Sequence, residues 1–89
     1  MKNITAINQQ MNNVSNAITA LNAMNATVQS VMIAGSKPLI RIARSSLCNR
    51  LLAQGKASYV HIGHGRSGNF RQGVFELHGC RVIWSELLL

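Results

Sequence analysis

Apolar residues in the first third of the chain recur every three or four positions, which is the spacing of one face of an α-helix. Assigned as heptads, this stretch has nine seam positions, and eight of them are apolar. The pattern predicts a long, coiled-coil-like helix over residues 1–34 that holds two or more copies of the chain together. The predicted oligomerisation positions are Ile4, Ile7, Met11, Val14, Ile18, Leu21, Asn25, Val28 and Met32.

Length favours self-association over a helix packed wholly on its own domain. A helix of about 30 residues is ~45 Å long, whereas a compact chain of this size is only ~30 Å across. The apolar stripe would then extend past its own globule and need a second chain to cover it. Asn25 occupies a seam position, where a buried Asn often fixes register and oligomer number.

A second amphipathic segment follows the glycine at position 35. Its apolar residues share one face at helical spacing, and Gly55 stands where a helix of residues 37–54 would end. The pattern predicts a second helix that forms an αα-hairpin with the first. A strand over residues 39–44 is a shorter alternative. The apolar positions are Leu39, Ile40, Ala43, Leu47 and Leu51.

The C-terminal third alternates in the manner of β-strands. Residues 58–62, 70–77 and 80–85 are rich in β-branched and aromatic side chains, and His78-Gly79 is a two-residue turn candidate. These segments predict a three-stranded antiparallel β-meander packed on the second helix. The expected fold class is therefore α+β, with an oligomerisation helix (1–34) and a small basic α+β domain (35–89).

Charge is distributed unevenly along the chain. Nine Lys and Arg against two Asp and Glu give a net charge of +7, but residues 3–36 carry no charge at all. From residue 36 through residue 75 there is no acidic residue. Such a balance favours a polyanionic partner, either nucleic acid or an acidic protein surface. The candidate phosphate-contacting residues are Lys37, Arg41, Arg44, Arg66 and Arg71.

A glycine-rich segment, residues 63–68, has the spacing G-x-G-x-x-G after a predicted strand. A dinucleotide site would need a helix after this loop and a whole βαβ unit, but the 21 residues that remain look like strands. We interpret the segment as a hairpin loop. With Arg66 and Arg71 at its base, the loop could also grip phosphates through side chains and backbone N–H groups.

Metal binding and catalysis find little support in the sequence. His61, His64, His78 and Cys80 follow the pattern H-x2-H, then H-x-C, which is not a zinc signature. The chain has no Asp, and Glu86 and Glu76 lie on separate predicted strands. We therefore expect no catalytic residues, no metal, no cofactor and no enzymatic activity.

Location follows from what the sequence lacks. Lys2 is followed by polar residues rather than by an apolar signal segment, and no stretch approaches the ~20 apolar residues that span a bilayer. We expect a soluble, cytoplasmic protein without membrane contact, in which Cys48 and Cys80 stay reduced.

Taken together, these features favour a small oligomeric, nucleic-acid-binding accessory or regulatory protein. The alternative is a protein–protein interaction module that docks on an acidic host enzyme or assembly and inhibits or modulates it. A coiled-coil component of a larger particle is a third possibility. In its size, high charge and lack of a catalytic motif, the chain is similar in bulk character to small accessory proteins of phages and other mobile elements.

Overall fold

A computed structural model of the protein describes residues 4–33, 35–65 and 68–88, with side chains described within 7–33, 35–60 and 68–87. Over these residues the chain forms two helices and five strands. In chain order they are α1 (Ile4–Ala23), β1 (Val28–Met32), β2 (Leu39–Ile42), α2 (Ser46–Ala53), β3 (Ser58–Gly65), β4 (Gly68–Leu77) and β5 (Cys80–Leu88).

The five strands form one mixed sheet in the order β1-β2-β5-β4-β3. The pairs β1–β2, β5–β4 and β4–β3 are antiparallel, whereas β2 and β5 are parallel. The parallel pair joins the two halves of the chain, since α2, β3 and β4 all lie between β2 and β5 in sequence. The centre of the sheet is therefore built from long-range pairing.

Helix α1 ends at Ala23, so the prediction of a long coiled-coil-like helix is wrong. Asn25 adopts a left-handed conformation (φ 62°), and Ala26 N–H donates to Leu21 O at 2.9 Å. These are the features of a Schellman C-cap, for which Asn is the best residue after glycine. The residue assigned to the seam of a coiled coil terminates the helix instead, and Val28 and Met32 lie in a strand.

The second helix is much shorter than the predicted 37–54, since it spans only Ser46–Ala53, and the αα-hairpin is wrong because strands separate the two helices. The first part of the predicted range is β2, where Ile40 and Ile42 are buried while Leu39 and Arg41 point to the other face. This alternation has a period of two, as expected for a strand with one buried face. Helix α2 begins only at Ser46, after Ser45 in an extended conformation.

The predicted three-stranded meander is wrong as a description of the sheet, because β1 and β2 extend it to five strands and add a parallel pair. Both helices cover the same face. The core combines α1, α2 and one face of the strands. It contains Val14, Ala17, Leu21, Ile40, Ile42, Leu47, Cys48, Leu51, Phe75, Cys80, Val82 and Trp84.

The opposite face of the sheet is covered by neither helix. We call it the open face and define it by six residues that alternate with the core positions along their strands. They are Leu39, Arg41, Gln72, Val74, Arg81 and Ile83.

Candidate functional site

Two arginines lie on neighbouring strands at the middle of the open face. Arg81 on β5 stands beside Leu39 on β2, and Arg41 on β2 stands beside Ile83 on β5. With strands ~4.8 Å apart and two residues of offset, their Cα atoms are about 8 Å apart. Arg41 Nη1 donates to the Ser85 hydroxyl oxygen at 3.1 Å, which holds its guanidinium on this face.

A shallow groove crosses the open face. One cavity of about 280 Å³ is lined by Met32, Ser36, Lys37, Leu39 and Arg81. A second, of about 340 Å³, is lined by Leu39, Val60, Gln72, Val74, Arg81 and Ile83. Because Leu39 and Arg81 line both, the groove runs from the β1 side of the sheet towards β3. The floor of the groove is apolar, with Arg81 at its centre.

The charge of the open face is positive. Lys37 Nζ lies 2.7 Å from Glu76 Oε1, and Glu76 is directly opposite Arg81 in the β4–β5 pair. The hydrogen bond from Lys37 and its positive charge lower the pKa of Glu76. Three cations against one carboxylate leave a net charge of +2 on this side of the sheet, counting Lys37, Arg41, Arg81 and Glu76.

The second carboxylate, Glu86, lies on the helix-covered face of the sheet and is only 7% exposed. Its Oε2 accepts hydrogen bonds from Trp84 Nε1 and from the Tyr59 hydroxyl, each at 2.8 Å. Its Oε1 accepts from Arg71 Nε at 3.3 Å and Nη2 at 3.2 Å, and Arg44 Nε lies 3.5 Å from Oε2. The carboxylate is thus surrounded by donors, as a buried charge requires.

This environment has opposite effects on two pKa values. Burial alone would raise the pKa of Glu86, but the hydrogen bonds from Trp84, Tyr59 and Arg71, together with the charge of Arg71, lower it overall. Burial and the hydrogen bond to Glu86 raise the pKa of Tyr59. The phenol therefore stays a donor and Glu86 stays an anion at neutral pH.

The structure does not bring the five predicted phosphate-contacting residues together. Arg41 is on the open face, and Lys37 lines the groove beside it. Arg44 and Arg71 neutralise Glu86 on the other side of the sheet, and Arg71 also stacks over the Tyr59 ring, 3.9 Å from its centre. Arg66 lies outside the described residues.

Sequence reasoning missed Arg81. The alternation of β5 contained a signal for it, because Cys80 and Val82 are core residues and the residue between them must face the other side. That this basic residue lies near Arg41, two residues out of register on the neighbouring strand, becomes visible only once the parallel β2–β5 pairing is known.

The predicted oligomerisation residues have several different environments. Val14 and Leu21 are buried in the protein's own core, and Ile18 packs at its margin. Ile7 and Met11 are exposed. Asn25 caps α1, Val28 and Met32 belong to β1, and the side chain of Ile4 lies outside the described residues.

The histidine and cysteine positions are separated in the described part of the chain. Cys80 is fully buried, which raises the pKa of its thiol, while His78 is exposed in the β4–β5 turn. The side chains of His61 and His64 lie outside the described residues. Across the side chains that are described, no three His, Cys, Asp or Glu residues come close enough to hold a metal ion.

The fold and its open face define a small α+β protein with two helices on one side of a mixed five-stranded sheet. A family profile described only as "Uncharacterised protein" matches residues 1–87, so the chain belongs to that family. No curated protein and no solved structure matches it. Neither α1 nor α2, as described, combines the length and the apolar character that crossing a bilayer demands.

Proposed function

We propose that the protein is a small, non-enzymatic, nucleic-acid-binding accessory or regulatory factor of the cytoplasm that works as a homo-oligomer. The open face of the sheet is its binding surface. The observation that carries this proposal is the pair Arg41 and Arg81. They lie diagonally across the neighbouring strands β2 and β5 on that face, and within the described residues neither makes an ion pair with Glu76 or Glu86.

The chemistry of the pair suits a phosphodiester backbone. A guanidinium group is planar, permanently charged and able to donate two parallel hydrogen bonds to a phosphate. Leu39 and Val74 provide an apolar floor on which sugars and base faces can lie, and Lys37 lies at one end of the groove. Contacts of this kind position a strand without reading its sequence.

The role of the other cations differs. Arg44 and Arg71 are held by a buried carboxylate, and a phosphate could recruit them only by leaving Glu86 without its ionic partners. We therefore assign phosphate contact to Arg41 and Arg81, with Lys37 as a weaker contributor while it is paired with Glu76. Arg44 and Arg71 have a structural role in this proposal.

A second candidate function is docking on an acidic protein surface through the same face. It is favoured by the apolar lining of the groove and by Val60, which is 61% exposed at its β3 end. A protein partner would bury this side chain, whereas a phosphate backbone would leave it in water. Stoichiometric capture of one protein that survives nuclease treatment would favour this candidate.

The test is equilibrium binding of labelled single-stranded and duplex oligonucleotides, followed by fluorescence anisotropy as salt rises from about 50 mM to about 200 mM. Affinity should fall steeply over this range. Arg41→Gln and Arg81→Gln should each weaken binding roughly tenfold, the effect of losing one charge-assisted contact.

The matched control is Arg50→Gln. This residue is exposed on α2, on the helix side of the sheet, and the substitution removes the same charge. It should change the affinity much less than either open-face variant. Equal losses in all three variants would remove the open face as the site, and absence of binding even at low salt would remove the nucleic-acid proposal altogether.

A further inference from the structure

Exposed apolar side chains are concentrated on one edge of the molecule. Among the described residues seven large hydrophobic side chains are exposed, and five of them lie on α1, on β1 or directly after β1. All five fall within residues 3–36, the stretch without a charged residue. We call this surface the neutral edge and define it by Ile7, Met11, Val31, Met32 and Ile33.

The helix and the strand contribute to one continuous surface. A cavity of about 360 Å³ is lined by Met11, Val14, Ser15, Ile18, Thr19 and Ile33, so the flank of α1 borders the end of β1. Val31 is opposite Ile40 in the β1–β2 pair and therefore points to the helix-covered side of the sheet. The apolar flank of the helix thus continues onto the strand below it.

Strand β1 is also an edge of the sheet. It pairs with β2 on one side, and no described strand pairs with its other side. Natural edge strands are usually protected by charged residues, proline or a bulge. β1 has a register shift between Val28 and Ser30, but residues 30–33 contain neither a charge nor a proline.

We propose that the neutral edge binds a second copy of the chain. β1 pairs antiparallel with β1 of the copy, and the flanks of the two α1 helices meet beside this pair of strands. This deepens the oligomer part of the proposed function and does not depend on nucleic-acid binding. Antiparallel pairing of two identical strands has two-fold symmetry, so the surface is its own complement.

Charge selects a second copy over an acidic partner. The chain carries +7, so two copies repel each other wherever their cationic surfaces meet. The neutral edge is the surface on which this repulsion is smallest. An acidic protein gains no attraction here, because its charges are attracted to the arginines and lysines outside this stretch.

The size of the edge predicts the strength of the dimer. Helix α1 has 20 residues and is therefore ~30 Å long, and the smallest dimension of the molecule is 21 Å. A face of these dimensions covers on the order of 600 Å² per copy, or about 1,200 Å² in total, the lower limit for stable specific interfaces. We expect a dimer that dissociates on dilution.

Symmetry restricts the register in which the two β1 strands can pair. A two-fold axis perpendicular to the sheet keeps both open faces on the same side, so paired residues of the two β1 strands must point to the same face. Side chains alternate along a strand, so one residue of β1 must then lie directly opposite its own copy. The Cα atoms of such a pair are ~4.5–5.5 Å apart, which is within reach of a disulfide.

The dimer would also join the two proposed binding surfaces. The copies together form a ten-stranded sheet with one continuous open face, and the two β2 strands are three strand spacings apart. That places the strands that carry Arg41 about 14 Å from each other. A single nucleic-acid strand could then contact both copies, which raises the apparent affinity.

The first test is mass in solution over a wide concentration range, measured by sedimentation after nuclease treatment. Ile33→Lys and Met11→Lys should shift the protein to monomer, because each places a positive charge in the interface of both copies, where the two charges repel each other. Val60→Lys is the matched control, since Val60 is more exposed than Met11 or Ile33 but lies on β3. It should leave the dimer intact, and circular dichroism should report a folded chain for all three variants.

The second test places cysteine at Ser30, Val31 or Met32, one per variant, with Ser58→Cys on the opposite edge strand as the control. One of the three β1 variants should form an intermolecular disulfide under mild oxidation. The dimer should persist in the Arg41→Gln/Arg81→Gln protein, which separates this proposal from nucleic-acid bridging. A wild-type monomer at about 0.5 mM, loss of the dimer in Val60→Lys, or cross-linking only at Ser58→Cys would each overturn it.

Discussion

Gly73 lies directly opposite Trp84 in the β4–β5 pair, and the indole of Trp84 occupies the space that a side chain at Gly73 would need. A Cβ built on Gly73 overlaps the six-membered ring of the indole. Trp84 is fully buried, and the close packing of a protein core leaves a buried ring little room to move. The missing side chain on β4 is thus what lets the indole of Trp84 pack directly over Gly73.

Gly73→Ala should therefore destabilise the protein by about 3 kcal/mol, the upper part of the usual range for overpacking a core. Urea denaturation at neutral pH measures the effect. Trp84→Leu provides the control background, because it removes the ring that the new methyl group meets. Gly73→Ala should lower the free energy of unfolding much less in Trp84→Leu than in the wild type. Equal losses of stability in both backgrounds would contradict this account.

The buried carboxylate leads to the second prediction. Glu86→Gln keeps the shape of the side chain but leaves Arg44 and Arg71 without their anion. We expect a loss of about 2–4 kcal/mol, as for other broken buried pairs, and a melting temperature lower by roughly 10 °C or more. Glu76→Gln is the matched control, because Glu76 is exposed, and it should leave the melting temperature nearly unchanged.

Acid should weaken the same cluster. In the folded chain the pKa of Glu86 is lower than its ordinary value of 4.5. The stabilisation that ionised Glu86 provides is therefore complete above pH 4.5, and it is lost as the pH falls through the pKa of the folded state. The stability gap between wild type and Glu86→Gln should narrow below about pH 4.5. Denaturant midpoints at several pH values measure the gap, and a constant gap down to pH ~2 would be inconsistent with this assignment.

Glu76 provides a test of the proposed binding surface in which the substitution should strengthen nucleic-acid binding rather than weaken it. Its substitution by Gln frees Lys37 and removes the single described carboxylate beside Arg81. If nucleic acid lies on the open face, Glu76→Gln should bind severalfold more tightly than the wild type and show a steeper dependence on salt. Anisotropy titrations measure this, and weaker or unchanged binding would argue against the open face.

The strands of the C-terminal third could be found from their alternation. Residues 58–62, 70–77 and 80–85 lie within β3, β4 and β5, and the His78-Gly79 turn joins the last two. These strands are neighbours in the chain and alternate over most of their length. The signal was local, so it could be read without knowing the rest of the fold.

The middle of the chain could not be read in the same way. The segments that hold Val28 and Ile40 are short apolar runs, which satisfy a helical and a strand pattern about equally well. β2 exists because β1 pairs on one side of it and β5 on the other, and β5 is more than 35 residues away in sequence. The sequence did contain one local signal for the end of α1, because Asn25 is a residue type that can adopt the left-handed conformation of a helix C-cap. The heptad pattern concealed this signal by assigning Asn25 to the seam.

The sequence by itself determined the separation of charge, with a neutral first third and a strongly basic remainder, because charge depends only on residue identity. Only the tertiary structure decided which cations remain on the open face. Pairing of β2 with β5 placed Arg41 and Arg81 there, and Glu86 drew Arg44 and Arg71 to the other side of the sheet. The physical reason is that a buried carboxylate recruits the donors nearest in space, and nearness in space follows from strand pairing rather than from position in the chain.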